Sequence, residues 1–278
     1  MPKQEIRNVG LIGLGKMGRP MARLLVSRGY AVTGYDVSPE ATKAVHSLGV
    51  KTMATPAEVA AASDLTIIVV GFDNEVMEAI FGDRGVLKGA HAGSIVAVAS
   101  TVAPRTMKKI AARVEGRPVA FLDIPLCRGE AAAEDGKLLV MGGGDAEAFE
   151  ACRPVFSAFS DAVYHLGPLG SGEVGKMVNN LILWACISAN HEGLKLAQTL
   201  GVDPARLTEA LLDSSASNWA LATGAADRPV PWAEKDMTIV LQEADHARLS
   251  LPLCGVVKEV MKGIKIDRGL PMPKMPED

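Results

Sequence analysis

The chain has 278 residues, 48% of them hydrophobic and 22% charged, so it can bury one large core or two ordinary ones. Its net charge of -3 and its aromatic content of 4% argue against binding nucleic acid through a basic face or by base stacking. From the lack of a long apolar run we expect neither a secretory signal nor a membrane-spanning helix, and the four cysteines lack metal-ligand spacing. We therefore expect a cytoplasmic protein without metal that binds neither membrane nor nucleic acid.

A glycine-rich turn follows the first apolar run, Val9 to Gly13. It has the G-x-G-x-x-G spacing and leads into a helical pattern, which is typical of dinucleotide binding. The glycines permit a tight turn and a close approach of the backbone to a pyrophosphate, and the helix N-terminus supplies N–H groups. The motif alone is weak evidence, because many glycine turns bind nothing. The predicted cofactor contacts here are Gly13, Leu14, Gly15, Lys16, Met17 and Gly18.

The second predicted strand, residues 31–36, ends in Asp36. An acid at this distance from the glycine motif binds the ribose 2′-hydroxyl and repels a 2′-phosphate. Since no arginine follows Asp36 directly, the sequence predicts NAD in preference to NADP, with NADP still possible. The alternative is that Asp36 only caps a helix beginning at Pro39.

Strand and helix patterns continue to alternate up to residue 166. This predicts an α/β, Rossmann-type doubly wound sheet whose ligand lies beyond the carboxyl ends of the strands. Those ends carry Val70-Gly71, Ser100-Thr101 and Asp123. The predicted strands are 65–70, 95–99, 119–123, 138–141 and 162–166, and the predicted helices are 73–81, 104–114 and 145–160.

After Gly170 the apolar residues recur with helical spacing. The pattern predicts one long helix over 170–200, a helix capped by Asp203 with Pro204 in its first turn, further helices over 235–247 and 253–262, and a loosely held tail from 267. We predict two domains joined by the long helix. Residues 1–166 form the NAD(P)-binding domain, and residues 167–278 form an all-helical domain for substrate binding and oligomerisation.

Lys176 and Asn180 are four residues apart on the predicted long helix and so share a face. Polar side chains on the inner face of an otherwise apolar helix are costly unless they are paired or used. The alternative is a solvated lysine at a helix start beside asparagines of the capping type. The spacing alone does not decide between these two interpretations.

Three stretches, in order along nearly the whole chain, resemble the β-hydroxyacid dehydrogenase family, which includes the 3-hydroxyisobutyrate and tartronate-semialdehyde enzymes. They are GLGKMGRPM at 13–21, GSGEVGKMVNN at 170–180 and KDM at 235–237. The resemblance implies NAD(P)-dependent interconversion of a β-hydroxy acid and its semialdehyde or keto acid. It also implies a small anionic substrate and a homodimer or homotetramer.

The resemblance assigns roles to individual residues. Lys176 would be the general acid/base that takes the hydroxyl proton as hydride leaves for the nicotinamide, and Asn180 would orient the substrate. Ser100 would contact the substrate, and Thr101 and Lys235 would contact the cofactor. Val70 and Gly71 are predicted cofactor contacts because they follow a strand at the carboxyl edge of the sheet. Trp219 is a candidate to line the substrate pocket, or else it belongs to the packing core.

The substrate loop departs from the family pattern Asp-x-Pro-Val-Ser-Gly-Gly, because residues 123–129 read DIPLCRG. Cys127 replaces a serine and is a poorer hydrogen-bond donor. Arg128 replaces a glycine and can bind an anion bidentately. We predict that Cys127, Arg128 and Gly129 contact the substrate, with Arg128 binding its anionic group. In the alternative, Arg128 points to solvent and backbone N–H groups bind the anion.

Imine reduction and a cofactor-binding role without catalysis are two alternatives on the same scaffold. Relatives of both kinds tend to lose the lysine that stands here at position 176, which favours the dehydrogenase. A third alternative, 6-phosphogluconate oxidation, usually comes with a longer helical domain.

Overall fold

The computed structural model describes residues 5–225 and 230–270. It divides into two compact units, the sheet unit (residues 1–176) and the helical unit (residues 177–278). The division lies within a continuous helix and later in the chain than residue 166, so the predicted domain boundary stays a prediction. Most of the predicted tail, residues 271–278, lies outside the described residues.

Among the described residues, the sheet unit contains a nine-stranded sheet. Strands β3, β2, β1, β4, β5 and β6 are neighbours in that order and are parallel, which is the doubly wound order of dinucleotide-binding proteins and confirms the predicted fold class. Strand β8 pairs antiparallel with β6 and β7 and parallel with β9. The strands are β1 (Asn8–Ile12), β2 (Ala31–Tyr35), β3 (Lys51–Thr52), β4 (Leu65–Ile68), β5 (Ile95–Val98), β6 (Ala120–Asp123), β7 (Leu126–Cys127), β8 (Leu138–Gly144) and β9 (Ser160–Gly167).

Helices cover both faces of this sheet. Along β4, Leu65 and Ile67 pack into one hydrophobic cluster and Ile68 into the other, as side chains alternate across a strand. Parallel strands buried on both faces read as continuous apolar runs, which is why LTII at 65–68 was recognisable. The helices are α1 (Gly18–Ser27), α2 (Pro39–Ala44), α3 (Pro56–Ala61), α4 (Asp73–Phe81), α5 (Pro104–Val114), α6 (Gly129–Glu134) and α7 (Ala146–Phe156).

Short elements are the ones that the sequence pattern did not predict. Helices α2, α3 and α6 have six residues each, and strands β3 and β7 have two each. Six residues make fewer than two helical turns, so the apolar positions do not repeat often enough to reveal a period. The caps of two of these helices are nevertheless conventional, because the Ser38 and Thr55 side chains accept hydrogen bonds from the first turns of α2 and α3.

The long helix α8 (Ser171–Thr199) begins in the sheet unit and continues into the helical unit. There it is followed by α9 (Pro204–Leu212), α10 (Trp219–Ala222), α11 (Ala233–His246) and α12 (Pro252–Asp267). The Asp203 side chain accepts a hydrogen bond from Ala205 N, which confirms the predicted cap of α9. Within the described parts of the chain, no helix combines the length and the apolar character needed to cross a bilayer.

Candidate active site

The turn between β1 and α1 contains glycines of two kinds. Gly13 has a φ of +98°, and a Cβ atom there would lie 2.2 Å from the Val69 carbonyl oxygen. A Cβ atom at Gly18 would lie 1.9 Å from the Gly13 carbonyl oxygen. At Gly15, by contrast, a Cβ atom would meet nothing within 4 Å. The fold therefore requires Gly13 and Gly18, whereas the open space at Gly15 fits the close approach of a dinucleotide pyrophosphate.

Asp36 follows β2 at the same edge of the sheet. Its carboxylate accepts hydrogen bonds from Leu14 N at 2.6 Å and from Ser38 N at 2.7 Å. The cap of α2 is Ser38, whose hydroxyl accepts from Ala41 N, so the alternative that Asp36 caps this helix is wrong. The contact with Leu14 ties Asp36 to the glycine turn, where the acid of a dinucleotide-binding fold is expected.

An open cleft of about 600 Å³ lies beside Asp36. Tyr35, Thr42, Lys43 and His46 are among the residues that line it. The cleft lies beside the acid at which the adenosine half of a dinucleotide is expected, and its contact with a cofactor stays a prediction. The side chain of Lys16, by comparison, is 79% exposed and lies 3.2 Å from Glu130, so its contact with the cofactor stays a prediction.

A hydrogen bond to Ser100 joins the carboxyl ends of β4 and β5. The Ser100 hydroxyl accepts a hydrogen bond from Val70 N at 2.8 Å, and the side chain is buried. The N–H group of Gly71 donates to the Glu75 carboxylate at 2.7 Å. Thr101 is partly buried just beyond Ser100. The Ser100 hydroxyl therefore has a structural role at this edge of the sheet. The predicted ligand contacts of Val70, Gly71, Ser100 and Thr101 stay predictions.

Asp123, at the end of β6, anchors the start of α8. Its side chain is fully buried, and its carboxylate accepts hydrogen bonds from Gly170 N at 2.7 Å and Glu173 N at 2.8 Å. Burial raises the pKa of the Asp123 carboxyl, while these N–H groups act in the opposite direction. A carboxylate at a helix N-terminus also interacts favourably with the helix dipole. Asp123 therefore fixes the first turn of the helix that carries Lys176.

Lys176 reaches the substrate loop. Its Nζ donates a hydrogen bond to the Leu126 carbonyl oxygen at 2.7 Å and lies 3.8 Å from Cys127 Sγ. Burial raises the pKa of the Cys127 thiol, and the charge of Lys176 opposes this shift. The thiol is therefore uncharged at neutral pH. Lys176 is not a solvated lysine at a helix start, because its amine is held against the predicted substrate loop.

Arg128 is directed to the start of β9. Its guanidinium donates to the Lys137 carbonyl oxygen at 2.9 Å and forms an ion pair with Asp161. The backbone of Arg128 is left-handed, with a φ of +82°, and Gly129 follows with a φ of +80°. This conformation favours glycine, which explains why the family pattern has glycine at position 128. The Lys137 carbonyl oxygen and the Asp161 carboxylate would compete with a substrate anion for the Arg128 guanidinium. The predicted anion contact of Arg128 stays a prediction.

Asn180 belongs to a buried polar network inside the helical unit. Its Nδ2 donates to Asp236 Oδ2 at 2.9 Å, and Trp184 Nε1 donates to the same oxygen at 3.2 Å. Its Oδ1 accepts from Asn179 Nδ2 at 3.0 Å. Asn180 is therefore neither a cap nor a solvated side chain. The two neighbours fix the orientation of its amide.

The first turn of α11 holds another candidate of this unit, Lys235. Its side chain is buried, with Nζ 5.6 Å from the centre of the Trp232 ring. Trp219 begins α10 after the Asn218 cap and is half-exposed, and its contact with a substrate stays a prediction. In the part of the chain that the structure describes, no group of three His, Cys, Asp or Glu side chains is arranged to hold a metal ion.

Sequence reasoning missed one buried pair in this region, Glu234 and Lys265, whose side chains lie 2.8 Å apart. Charged residues at these positions of two amphipathic helices look like solvent-facing residues. No local signal in the sequence distinguishes them.

Comparisons with known proteins place these features in a family. Residues 8–167 match the NAD binding domain of 6-phosphogluconate dehydrogenase, and residues 170–269 match the NAD-binding family of NADP-dependent 3-hydroxyisobutyrate dehydrogenase. The human mitochondrial 3-hydroxyisobutyrate dehydrogenase is 35% identical over 80% of this chain and 66% of its own length. The NAD-dependent L-serine dehydrogenase of Pseudomonas aeruginosa is 34% identical over 78% and 72%. A 3-hydroxyisobutyrate dehydrogenase structure from Salmonella typhimurium superimposes with a TM-score of 0.81 at 27% identity, covering 94% and 95% of the chains.

Proposed function

The chain belongs to the β-hydroxyacid dehydrogenase family of NAD(P)-dependent oxidoreductases, and from this premise we propose that it oxidises a small 3-hydroxy acid with Lys176 as the general acid/base. The observation that carries this proposal is the contact of Lys176 Nζ with the Leu126 carbonyl oxygen, 2.7 Å away in the substrate loop. A lysine held there reaches the loop that the family uses for the substrate carboxylate. Asp123 supports it by anchoring the start of the same helix.

The reaction needs one proton acceptor from the protein. When bound, NAD would supply the acceptor for the hydride that leaves the carbon bearing the hydroxyl group. The hydroxyl proton passes to the amine of Lys176, and the carbonyl product forms. In the reverse direction the ammonium returns the proton, and its positive charge stabilises the developing alkoxide.

The substrate class follows from the relatives and from the loop. The names of the two relatives refer to 3-hydroxyisobutyrate and L-serine, which both carry a hydroxyl group β to a carboxylate. We assign a substrate of the same class to this chain. Cys127, buried and uncharged beside Lys176, makes its loop less polar than one with serine.

Asn180 is assigned to substrate orientation and Lys235 to cofactor binding. An amide nitrogen carries two hydrogens, and Asp236 accepts one from Asn180. Because the Oδ1 of Asn180 is also engaged with Asn179, the amide is held in a single orientation. Such preorganisation is what a substrate-positioning group needs. The assignment of Lys235 rests on the family resemblance.

Replacing Lys176 with alanine tests the proposal. Loss of a general acid/base lowers kcat by roughly 10²–10⁴-fold. We expect this loss in an assay of NADH formation with a panel of 3-hydroxy acids. NAD affinity is expected to stay within about twofold of that of the unmodified protein, because the proposal assigns Lys176 to the substrate and not to the cofactor. Lys195→Ala, at an exposed position of the same helix, is the matched control and is expected to retain full activity. A Lys176→Ala protein that keeps most of its turnover would refute the role of Lys176.

A further inference from the structure

The proposed reaction makes no use of the ion pair between Glu234 and Lys265. Lys265 Nζ lies 2.8 Å from Glu234 Oε2 and 3.3 Å from the Pro231 carbonyl oxygen. The two side chains are only 5% and 3% exposed. Burying two charges is costly, and apolar residues often replace such a pair without loss of stability. Stability alone therefore does not account for this pair.

Its place in the fold points to another role. Glu234, Lys235 and Asp236 are consecutive residues at the start of α11. Glu234 is bonded to α12 through Lys265, and Asp236 is bonded to Asn180 and Trp184 of α8. Successive residues of a helix are turned by about 100° around its axis. Lys235 therefore leaves the helix between two charged anchors on different sides.

Two such anchors restrict the rotation of α11 about its own axis. Packing of apolar side chains tolerates small rotations, whereas a hydrogen-bonded ion pair has a preferred distance and direction. Fixing the rotation of the helix fixes the direction in which the side chain of Lys235 leaves it. Lys235 is itself buried, with its amine near the Trp232 ring, so a small rotation displaces a group that has little room.

We propose that Glu234 and Lys265 are positioning residues that hold Lys235 in place for its part in the reaction. This inference rests on the proposed function, in which Lys235 belongs to the cofactor site. The reaction rate is expected to depend strongly on the position of Lys235, because a displacement of about 1 Å in a positioned group can lower the rate up to 10²-fold.

The test removes both charges together, so that neither is left buried and unpaired. In Glu234→Leu/Lys265→Met we expect a urea unfolding midpoint close to that of the unmodified protein. We also expect kcat/KM for NAD to fall by about tenfold, because a positioned group is displaced. The matched control is Glu259→Leu/Lys262→Met, which removes the exposed pair of α12 with its 2.7 Å contact and is expected to change neither quantity.

A double-mutant cycle with Lys235→Met shows whether the pair acts through Lys235. Once Lys235 is gone, removing the pair is expected to lower kcat/KM less than twofold further. The inference is overturned if the pair variant has normal kinetics, or if its full effect persists without Lys235. Lys176→Ala is measured alongside, because retained turnover in that protein refutes the proposed function while the cycle still reports on Lys235.

A second variant covers the case in which the leucine–methionine protein does not fold. Glu234→Asp keeps the charge and shortens the side chain by one methylene group. We expect a smaller loss of kcat/KM at an unchanged unfolding midpoint. If Glu234→Asp has normal kinetics while the double variant fails to fold, the pair is structural and the inference is wrong.

Discussion

The sheet unit and the helical unit hold their polar groups in different ways. In the sheet unit, backbone N–H groups hold the two acids of the candidate site, since the Asp123 carboxylate accepts from N–H groups at 2.7 and 2.8 Å and Asp36 from two others. In the helical unit, side chains hold side chains, as in the Asn180–Asp236 and Glu234–Lys265 contacts. Backbone sites depend on where strands end, whereas side-chain networks depend on how helices pack.

The largest loss of stability is expected from a substitution at Gly13 in the sheet unit. Gly13→Ala places a Cβ atom 2.2 Å from the Val69 carbonyl oxygen on a residue with a φ of +98°, and we expect a loss of roughly 4 kcal/mol in the free energy of unfolding. Gly15→Ala is the matched control, with nothing within 4 Å of its Cβ atom. It is expected to change the free energy of unfolding by less than about 0.5 kcal/mol.

The same pair of variants separates folding from cofactor binding. Gly15→Ala is expected to weaken NAD binding at least about tenfold, because its methyl group fills the space left for the pyrophosphate. Urea denaturation and NAD titration measure the two quantities. Normal NAD affinity in Gly15→Ala would mean that the open space serves another purpose.

The second largest loss of stability is expected when the polar network around Asp236 in the helical unit is disrupted. Asp236→Ala leaves the buried N–H donors of Asn180 and Trp184 without their acceptor, and we expect a loss of about 3 kcal/mol in the free energy of unfolding. Asp236→Asn keeps one acceptor oxygen and is expected to lose about half as much. Urea denaturation measures both. A loss of less than about 1 kcal/mol for the alanine variant would show that the helical unit does not depend on this network.

A third prediction concerns the charge of Asp36. The unmodified enzyme is expected to prefer NAD, because a carboxylate at this position repels a 2′-phosphate. Asp36→Asn keeps an acceptor for Leu14 N and removes the charge. We expect the ratio of kcat/KM for NADP to that for NAD to rise about tenfold. A preference of the unmodified enzyme for NADP would contradict this interpretation of Asp36.

The smallest effect is the expected difference in stability between two substitutions at Arg128, Arg128→Ala and Arg128→Gly. Both lose the ion pair with Asp161, but only glycine relieves the left-handed backbone with its φ of +82°. We therefore expect Arg128→Ala to be less stable than Arg128→Gly by about 1 kcal/mol. KM for the substrate tests the anion hypothesis in the same proteins. If Arg128 binds the substrate anion, both variants raise KM equally, and an unchanged KM in both rejects that role.

Much of the sheet unit could be predicted because its signals are local. The apolar run before Gly13, the glycine spacing and the alternation of strands and helices each depend on neighbours within a few residues. The Asp203 cap of α9 was predictable for the same reason. The long helix that carries Lys176 was also predictable, since its apolar spacing persists over many turns.

Tertiary structure alone decided which polar groups meet. The contact of Asn180 with Asp236 spans 56 residues, that of Glu234 with Lys265 spans 31, and that of Arg128 with Asp161 spans 33. A side chain that looks solvent-facing in a helical pattern is buried or paired according to which helix or strand packs against it. The sequence by itself therefore determined the doubly wound sheet, the glycine turn and the lysine-bearing helix. The packing of distant elements determined which side chains hold the candidate groups in place, because no local pattern records those partners.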